Sequence, residues 1–415
     1  MLERRILLRF GDLVLKGKNK PTFIKQVRKL LKEKLAKLNV EFDFQFDRTY
    51  LILKDDNVDL VLKHLSYVSG IQSYSFVYKT TKEIDAIVDL AVLVVKQELV
   101  TPTTFKIETK RADKHYPLTS QEITRVIAPK ILSQVEGLIV DVKAPKDTLQ
   151  IELRHDGAYL YLKQHKLMGG FPVGIGGKGL VMLSGGIDSP VSAYLAIKQG
   201  IQVELFHFES TPLTPLESVQ KVIDLAAIIA NYLPKNEVKL HLVPFTKIHT
   251  QILEKVADPY IITIMRRIMY RIAEGYANQK GLLCLINGES VGQVASQTLQ
   301  SLKVVEAVTT LPILRPVITN DKQEIIRLAK EIQTFEISIR AFNDCCSIYV
   351  PKNPVTMPKI EDCEYQETKL NIVDLVEEAI LNVNSIWIKS NNQLEIADYG
   401  FEVGEALAQY YRSKV

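Results

Sequence analysis

The sequence predicts an α/β multidomain protein in which two successive α+β units precede a doubly wound parallel sheet. Three observations support this fold class. The chain has 415 residues, more than one ordinary hydrophobic core accommodates. A glycine-rich stretch, KLMGGFPVGIGGKG, divides it into two parts. Beyond that stretch, apolar strands alternate with amphipathic helices, which is typical of a parallel sheet covered on both faces.

The first α+β unit is predicted over residues 1–75. It begins with a strand over 4–15, and Pro21 then opens a helix. Residues 41–54 are predicted to be strand material, and the stretches NVDLVLKHLS and IQSYSFVYKT to be a helix and a strand. The first helix is identified by apolar side chains at helical spacing, namely Phe23, Ile24, Val27, Leu30, Leu31, Leu35 and Leu38.

The second α+β unit is predicted over residues 76–166. A helix over 83–98 leads to the strand TFKIETKRA, and Ser120 is predicted to cap a helix over about 121–134. The stretches IVDVKAP and LQIELRHDGAYLYLK supply further strands. The glycine-rich residues 167–178 are predicted to be a linker.

The parallel sheet is predicted within residues 179–415. A strand over 179–183 runs into a helix over about 190–199, which ends at Gly200. The remaining strands are predicted in the stretches IQVELFHF, VKLHLVPF and LLCLING, with helices between them.

Charge is divided unevenly along the chain. Residues 1–167 carry a net charge of +8, and the remainder carries −4. This division favours a nucleic-acid-binding half, and the alternative is an ordinary solvated lysine-rich surface. Four cysteines are too few for a disulfide framework, and no apolar run is long enough to span a membrane. With no signal peptide at the N-terminus, these features predict a cytoplasmic protein.

The turn SGGIDSP follows the first parallel strand, where a phosphate-binding loop lies in such folds. Its adjacent glycines allow backbone N–H groups to converge on an anion, and Pro190 suits the first position of the following helix. Ser184 and Ser189 add hydroxyl donors. Asp188 would repel phosphate unless a cation intervened, which favours binding of Mg²⁺ or orientation of the substrate. The alternative is that Asp188 caps the helix.

Several motifs resemble one family. SGGIDSP resembles the pyrophosphate loop of the N-type ATP pyrophosphatases, and RFGDLVLKGKNKPTF resembles the N-terminal signature of the tRNA 4-thiouridine synthetases. KRADKHYPLTSQEI with AYLYLKQHKLMGGFPVG resembles their THUMP domain. TIMRRIMYRIAE, LINGESVGQVASQTLQSL, RPVITNDKQEIIRLAK and DCCSIYVPKNP follow in the family's order. The chain resembles a short form of this family, without the C-terminal rhodanese domain of some members.

The resemblance implies a ferredoxin-like unit, a THUMP domain and a pyrophosphatase-loop domain in that order. It also implies that ATP adenylates O4 of the uridine at position 8 of tRNA. A persulfide on Cys346, loaded by a cysteine desulfurase, would then supply sulfur to C4. Some members donate sulfur to thiamine thiazole synthesis, and the resemblance is compatible with a homodimer. Phe10, Asp12 and Glu209 depart from the family pattern.

The resemblance further implies a set of ATP contacts. Arg266 is expected to reach the nucleotide while Arg267 faces solvent or RNA. Lys322, at a helix start, is expected to neutralise phosphate, with a solvated lysine as the alternative; for Phe208 the alternative is core packing. The implied nucleotide-binding residues are Met182, Leu183, Ser184, Gly185, Gly186, Asp188, Ser189, His207, Phe208, Arg266, Gly288 and Gln297.

The four cysteines receive different expectations. Cys346 aligns with the family's catalytic cysteine, because a thiolate can carry sulfur as a persulfide. Cys345 is expected to be its neighbour, and Cys284, in the apolar stretch LLCLI, a core thiol. Cys363 is either a thiol that resolves the persulfide or a bystander.

Basic residues of the first two units are expected to contact tRNA phosphates. His115 and Tyr116 interleave with one basic group, a pattern suited to stacking on unpaired bases. The alternative is an ordinary basic turn. The expected RNA-binding residues are Lys16, Lys18, Lys20, Lys25, Arg28, Lys29, Lys110, Arg111 and Lys114.

Alternative functions remain open. Another pyrophosphatase-loop tRNA enzyme would share the loop but not the N-terminal LKGKN stretch. A THUMP methyltransferase would need a methyl-donor loop, which is not visible in the sequence. A non-catalytic THUMP protein that binds tRNA would not require the loop together with Cys346.

Overall fold

The computed structural model describes residues 4–11, 13, 16–45, 48–54, 57–342, 348–349, 351 and 353–413. The chain divides into two compact units, residues 1–170 and 171–415. Among the described residues, every helix falls short of the length and apolar character that crossing a bilayer requires.

The first unit is built on one mixed sheet. Its strands are β1 (Arg4–Arg9), β2 (Val40–Phe44), β3 (Arg48–Leu53), β4 (Ser73–Thr80), β5 (Thr103–Arg111), β6 (Leu138–Val140), β7 (Asp147–Arg154), β8 (Gly157–Tyr161) and β9 (His165–Lys166). Its helices are α1 (Lys20–Lys34), α2 (Val58–Ser66), α3 (Ile84–Glu98) and α4 (Ser120–Leu132). The strand order is β2-β3-β1-β4-β8-β7-β5-β6, and β9 also pairs with β4.

Pairing of β4 with β8 joins the two predicted α+β units into this sheet, with Tyr78 opposite Leu160. A small core lies beneath the junction, where the rings of Tyr50 and Tyr159 stack at 5.0 Å. Arg48 donates to the carboxylate of Glu152 at 2.5 Å across it. Side chains as well as backbone hydrogen bonds therefore connect the two halves.

The helices of the first unit begin where local chemistry satisfies their free amides. Pro21 lies in the first turn of α1, as predicted. The predicted cap of α4 is one residue off: Thr119, not Ser120, is the cap, and it forms a capping box with Glu122. Ser120 is the first helical residue because Thr119 retains the extended backbone that a cap requires.

The second unit contains the predicted doubly wound sheet, which is confirmed. Its strands are β10 (Lys178–Met182), β11 (Gln202–Glu209), β12 (Glu237–Pro244), β13 (Leu285–Ile286), β14 (Ile313–Leu314) and β15 (Asn384–Lys389). They lie in the order β14-β13-β10-β11-β12-β15, and among them only β15 runs antiparallel to its neighbour.

Helices cover both faces of this sheet. α5 and α6 pack on one face, and α7, α8 and α13 lie on the other. The helices are α5 (Asp188–Lys198), α6 (Leu216–Ala230), α7 (Thr246–Lys255), α8 (Ile261–Lys280), α9 (Leu299–Glu306), α10 (Lys322–Glu331), α11 (Phe335–Ser338), α12 (Ile360–Glu367), α13 (Ile372–Leu381) and α14 (Val403–Arg412). The carboxyl ends of the parallel strands therefore share one edge, where ligands bind in such sheets.

The glycine-rich segment predicted to be a linker is hydrogen bonded along its length. The amide of Gly169 donates to the carbonyl of Ile71 in the first unit. The amides of Gly174 and Gly176 donate to the carbonyl of Gly200 in the second. Each end of the segment is thus held by its own unit.

Candidate functional site

The loop between β10 and α5 is closed by its own serines. The amide of Ser184 donates to Oγ of Ser189 at 2.9 Å, and the two hydroxyl oxygens lie 3.1 Å apart. The amide of Gly186 donates to Oγ of Ser184 at 3.3 Å. Both serines therefore shape the loop that connects Met182 at the end of β10 to the N-terminal end of α5, an end that favours anions.

Asp188 is the first residue of α5 and does not cap it, so the capping alternative is wrong. Its carboxylate instead accepts from Nζ of Lys322 at 2.6 Å and from Nε2 of Gln293 at 3.0 Å. Pro190 is accordingly the third helical residue rather than the predicted first. The structure thus brings together Asp188 and Lys322, which the sequence separates by 134 positions.

Gly288 packs directly against the start of α5. A Cβ built on it would lie 2.7 Å from the carbonyl carbon of Asp188 and from the amide nitrogen of Ser189. Real Cβ atoms do not approach backbone this closely. The predicted close approach at Gly288 is therefore made to the loop's own backbone.

The ends of β10 and β11 are joined by backbone-directed bonds. The amide of Leu183 donates to the carbonyl of Phe206 at 2.8 Å, and Nδ1 of His207 lies 2.9 Å from the carbonyl oxygen of Leu183. His207 is buried. Its imidazole therefore fixes the strand that leads into the loop.

Phe208 occupies the core. Its ring makes edge contacts with Phe206 and Phe245, each with centroids 5.3 Å apart. This position matches the alternative, in which Phe208 packs in the core, and the surrounding cluster includes residues of α7 and α8. Of the residues at these two strand ends, Met182 keeps partial exposure.

Arg266 belongs to an ion cluster at the carboxyl end of β13. Its guanidinium contacts the carboxylate of Glu289 and the carbonyl of Ser296. Nε of Arg315 donates to the other oxygen of Glu289 at 2.7 Å. Sequence reasoning missed Glu289 and Arg315, although both lie within the motifs that carried the family resemblance.

Arg267 does not face solvent or RNA, so that expectation is wrong. It is 2% exposed and donates to both carboxylate oxygens of Glu367, at 2.8 and 3.0 Å. Arg271 donates to the same carboxylate at 2.6 and 2.9 Å. Burial opposes ionisation, but these hydrogen bonds hold the pKa of Glu367 below its ordinary value. The pair fixes α12 to α8.

Gln297 shapes the loop that follows Gly288. Its side-chain oxygen accepts from the amide of Ser290 at 3.2 Å, and its carbonyl accepts from the amide of Gly292 at 3.1 Å. The same loop carries Gln293, which bonds Asp188. Gln297 therefore lies within the site but supports the loop.

Cys345 and Cys346 lie outside the described residues. The chain before them is anchored at the site, because Oγ of Ser338 donates to the carbonyl of Gly186 at 3.3 Å. Nζ of Lys221 donates to the carbonyl of Phe342 at 3.3 Å. The described residues leading to this segment are thus held beside the loop.

Cys284 and Cys363 are buried free thiols. Burial raises the pKa of both, that of Cys363 to about 11. A thiol with so high a pKa holds little thiolate near neutrality, and the thiolate is the nucleophile. The expectation of a core thiol at Cys284 matches its position, and Cys363 has the surroundings of a bystander.

Helix α1 presents the predicted basic surface. A groove of about 730 Å³ lies along it. It is lined by Lys20, Pro21, Ile24, Lys25, Arg28, Lys29, Lys32, Glu33, Phe44 and Gln45. Arg28 donates to the carbonyl of Gln45 at 2.6 Å and lies over the ring of Phe44. Lys18 and Lys25 are exposed, and Lys16 lies over the ring of Phe23 at 5.6 Å.

The basic residues predicted at positions 110, 111 and 114 differ in their surroundings. Lys110 and Lys114 are exposed. Arg111 instead donates to the carbonyls of Tyr116 and Leu118, at 2.9 and 3.1 Å, and so holds the turn. For this arginine, the structure therefore matches the alternative of an ordinary basic turn.

The ring of Tyr116 packs against the core of the first unit, and its hydroxyl donates to the carbonyl of Lys82. Of the two rings predicted to stack on bases, His115 is therefore exposed, whereas Tyr116 is half-buried.

A site for a metal held by protein ligands is absent from the part of the chain that the structure describes. No group of three His, Cys, Asp or Glu side chains there has a suitable arrangement. Mg²⁺ commonly binds through one carboxylate together with nucleotide phosphates. Asp188 is the carboxylate of the loop that fits this mode.

Family models match along most of the chain. One described as "Thiamine biosynthesis protein (ThiI)" matches residues 174–372, a ThiI ferredoxin-like domain matches 5–75, and a THUMP domain matches 81–163. These matches confirm the predicted fold class. No rhodanese model is among them.

Curated relatives match over nearly their whole length. A "Probable tRNA sulfurtransferase" of Acholeplasma laidlawii is 59% identical over 409 residues, with 99% of both chains covered. One from Bacillus licheniformis is 40% identical, covering 96% of this chain and all of the relative.

Among solved structures, a 4-thiouridine synthetase–RNA complex with bound ATP is 33% identical, with a TM-score of 0.84. It covers 94% of this chain and all of that one. The protein PH1313 from Pyrococcus horikoshii, 18% identical with a TM-score of 0.57, shares the fold. The whole-length identities and the matched domains lead to one conclusion: the chain belongs to the tRNA sulfurtransferase family.

Proposed function

We propose that this protein is an ATP-dependent sulfurtransferase that converts uridine at position 8 of tRNA to 4-thiouridine. The observation that carries the proposal is the loop over residues 184–189, joined to Lys322 through Asp188. The structural relative that shares 33% of its sequence is a 4-thiouridine synthetase with bound ATP and RNA. The loop lies where that chemistry needs a phosphate site, at the carboxyl edge of a parallel sheet.

The reaction has two halves. O4 of the uracil attacks the α-phosphate of ATP, pyrophosphate leaves, and the oxygen becomes a good leaving group. The outer sulfur of a persulfide on Cys346 then attacks C4, and AMP departs with the oxygen. A second thiol must finally break the sulfur–sulfur bond, leaving the thiocarbonyl on the base and a disulfide on the protein or donor.

This chain's own residues supply charge stabilisation in the first half. We assign pyrophosphate binding to the loop amides and to the N-terminal end of α5, where partial positive charge accumulates. Lys322 adds a full positive charge beside them, held in place by Asp188 at 2.6 Å. Met182 and Leu183 are proposed to contact the nucleotide through their backbone. Mg²⁺ is proposed to accompany ATP, held by the phosphates and by Asp188.

The second thiol is not Cys363 in this proposal. Cys363 has no exposed surface, and burial raises its pKa to about 11, so it is a poor nucleophile. Cys284 is also buried. Cys345 or an external thiol is left for this step.

Partner proteins and cell compartment are finer proposals. We propose a cysteine desulfurase as the source of the persulfide, the cytoplasm as the compartment, and a homodimer as the assembly. Free thiols at Cys284 and Cys363 are consistent with a reducing compartment. Sulfur donation to thiamine thiazole synthesis is a second candidate, favoured by the description of the family model that matches residues 174–372.

The test is nucleoside mass analysis of tRNA that lacks 4-thiouridine, after incubation with the full chain, ATP, cysteine and a cysteine desulfurase. We expect 4-thiouridine at position 8, dependent on ATP. Cys346→Ser should give none while retaining ATP and tRNA binding, whereas Cys363→Ser should retain product. Formation of 2-thiouridine instead, or full product from Cys346→Ser, would overturn the proposal.

A further inference from the structure

Strand β15 exposes one of its faces. Ile386 and Ile388 are buried, whereas the alternating side chains of Ser385, Trp387 and Lys389 are exposed. Trp387 is the one tryptophan of the sequence, and 60% of its surface is accessible. An indole this exposed on an edge strand leaves a broad aromatic face in contact with water.

Two lysines lie on the same face as this indole. Lys239 lies directly opposite Trp387 in the β12–β15 register, so their side chains share one face. Lys389 lies two residues along β15 and is exposed on the same face. Neither lysine forms an ion pair within the part of the chain that the structure describes. Two acidic groups lie at the same corner: Glu237, opposite Lys389, and Glu204, which bonds His241.

A polar cluster anchors the strand two residues from the indole. Oγ of Ser385 lies 2.7 Å from Nδ1 of His241, whose Nε2 lies 2.9 Å from the carboxylate of Glu204. The hydroxyl of Tyr276, on α8, lies 2.8 Å from the same Nδ1. The cluster connects β11, β12, β15 and α8, so Trp387 is presented on a fixed surface.

We propose that this surface, the β15 face of Trp387, Lys239 and Lys389, binds RNA. An unpaired base would stack on the indole, and the lysines would contact the flanking phosphates. An acidic protein would also be attracted by the lysines, but a flat aromatic face among them favours a base. The proposal rests on the proposed function, because it extends tRNA contact from the basic first unit to the catalytic unit.

The test uses Trp387 as its own reporter in the full chain. Intrinsic fluorescence is recorded during titration with tRNA, while labelled tRNA reports total binding in parallel. We expect saturating tRNA to quench the emission and to reduce acrylamide access. Trp387→Ala should weaken binding at least about fivefold, and Trp387→Phe should largely retain it. Phe401→Ala removes another exposed ring and serves as the matched control.

A charge test is independent of the ring. Lys239→Glu with Lys389→Glu should lower the salt dependence of binding by about one unit of slope for each phosphate that is no longer neutralised, and Lys255→Glu on α7 should not. The proposal would be overturned if tRNA saturated the unmodified chain without changing its emission and the variants kept full affinity; the proposed function would then still stand. The proposed function would be contradicted instead if the unmodified chain formed no 4-thiouridine although tRNA quenched its emission.

Discussion

Asp188 holds the side chain of Lys322 beside the N-terminal end of α5. We propose that this interaction orients the lysine toward the phosphates of ATP. Both carboxylate oxygens are bonded, one to Lys322 and one to Gln293. The lysine is 41% exposed at its side chain, so the carboxylate orients a charge that water can also reach. A neutral side chain at position 188 would leave the lysine without this orientation.

Asp188→Asn should therefore slow pyrophosphate release about 100-fold while tRNA binding stays intact. The measurement is release of pyrophosphate in the presence of ATP and tRNA. Gln293→Ala removes the neutral partner of the same carboxylate and should cost only a few-fold. Equal losses in the two variants would contradict an orienting role for the ion pair.

Gly288 permits the loop and the start of α5 to lie against the end of β13. Gly288→Ala places a Cβ about 2.7 Å from backbone atoms that cannot yield. We expect loss of about 1–3 kcal/mol in the free energy of unfolding, with lowered ATP affinity. Thermal unfolding checks this. The matched control is Gly404→Ala in α14, where an added Cβ meets nothing within 4 Å and stability should hold.

At the scale of single elements, α1 combines a basic surface with one buried lysine. Lys34 is 5% exposed, and burial lowers its pKa from the ordinary 10.5 to about 7. Between these values the unfolded chain binds a proton that the folded chain lacks, so the free energy of unfolding rises with pH. Below pH 7 the charged, buried form carries its full cost.

Lys34→Met should consequently stabilise the protein most near pH 6.5, by about 2 kcal/mol or more. The gain should shrink as pH rises toward 10. Denaturant unfolding at pH 6.5, 8 and 9.5 measures it. Lys29→Met, on the exposed side of the same helix, should show no such trend, and a pH-independent gain at position 34 would contradict the titration.

We expect the exposed side of α1 to contact tRNA phosphates. Lys25→Glu with Lys29→Glu should weaken tRNA binding and flatten its dependence on salt, because the variant neutralises fewer phosphates. Binding isotherms at several salt concentrations are the measurement. Reversal of exposed Lys96 on α3 is the control. An unchanged salt slope would show α1 to be merely solvated.

Elements with strong local signals could be predicted from the sequence. The apolar spacing of α1, the alternation of β10 to β12 with their helices, and the loop at 184–189 all appear in the structure. The loop is predictable because its glycines and its place after a strand are local properties.

Interactions between distant residues are not accessible in the same way. Helical spacing predicts Arg267 at the surface, but its partner Glu367 is 100 positions away. The pairing of Glu289 with Arg266 and Arg315 likewise depends on tertiary packing. A basic side chain on a helix is reliably predicted to be exposed only where no distant carboxylate pairs with it and offsets the cost of its burial.

On the scale of the molecule, the first unit should behave as one cooperative body. Arg48 on β3 and Glu152 on β7 form an ion pair across the predicted boundary between its halves. Burial opposes it, but Arg48 holds the pKa of Glu152 below its ordinary value. The stacked Tyr50 and Tyr159 add an apolar connection.

Glu152→Gln should lower the stability of the unit by about 3 kcal/mol, since it leaves the largely desolvated Arg48, 16% exposed at its side chain, poorly compensated. Hydrogen exchange of the full chain should show β1, β3, β7 and β8 losing protection together. Asp85→Asn, which breaks the exposed pair with Lys130, should leave exchange unchanged. Loss of protection confined to β7 and β8 would contradict a single body.

The shared sheet also determines where the chain can be divided into fragments. The predicted border at residues 75 and 76 falls inside β4, which spans Ser73–Thr80 and pairs with β1 and β8. A fragment cut there ends in half a strand and bares a hydrogen-bonding edge that invites aggregation. Grafts of the RNA-binding part onto other enzymes should therefore carry the whole sheet, with the crossover placed after residue 166.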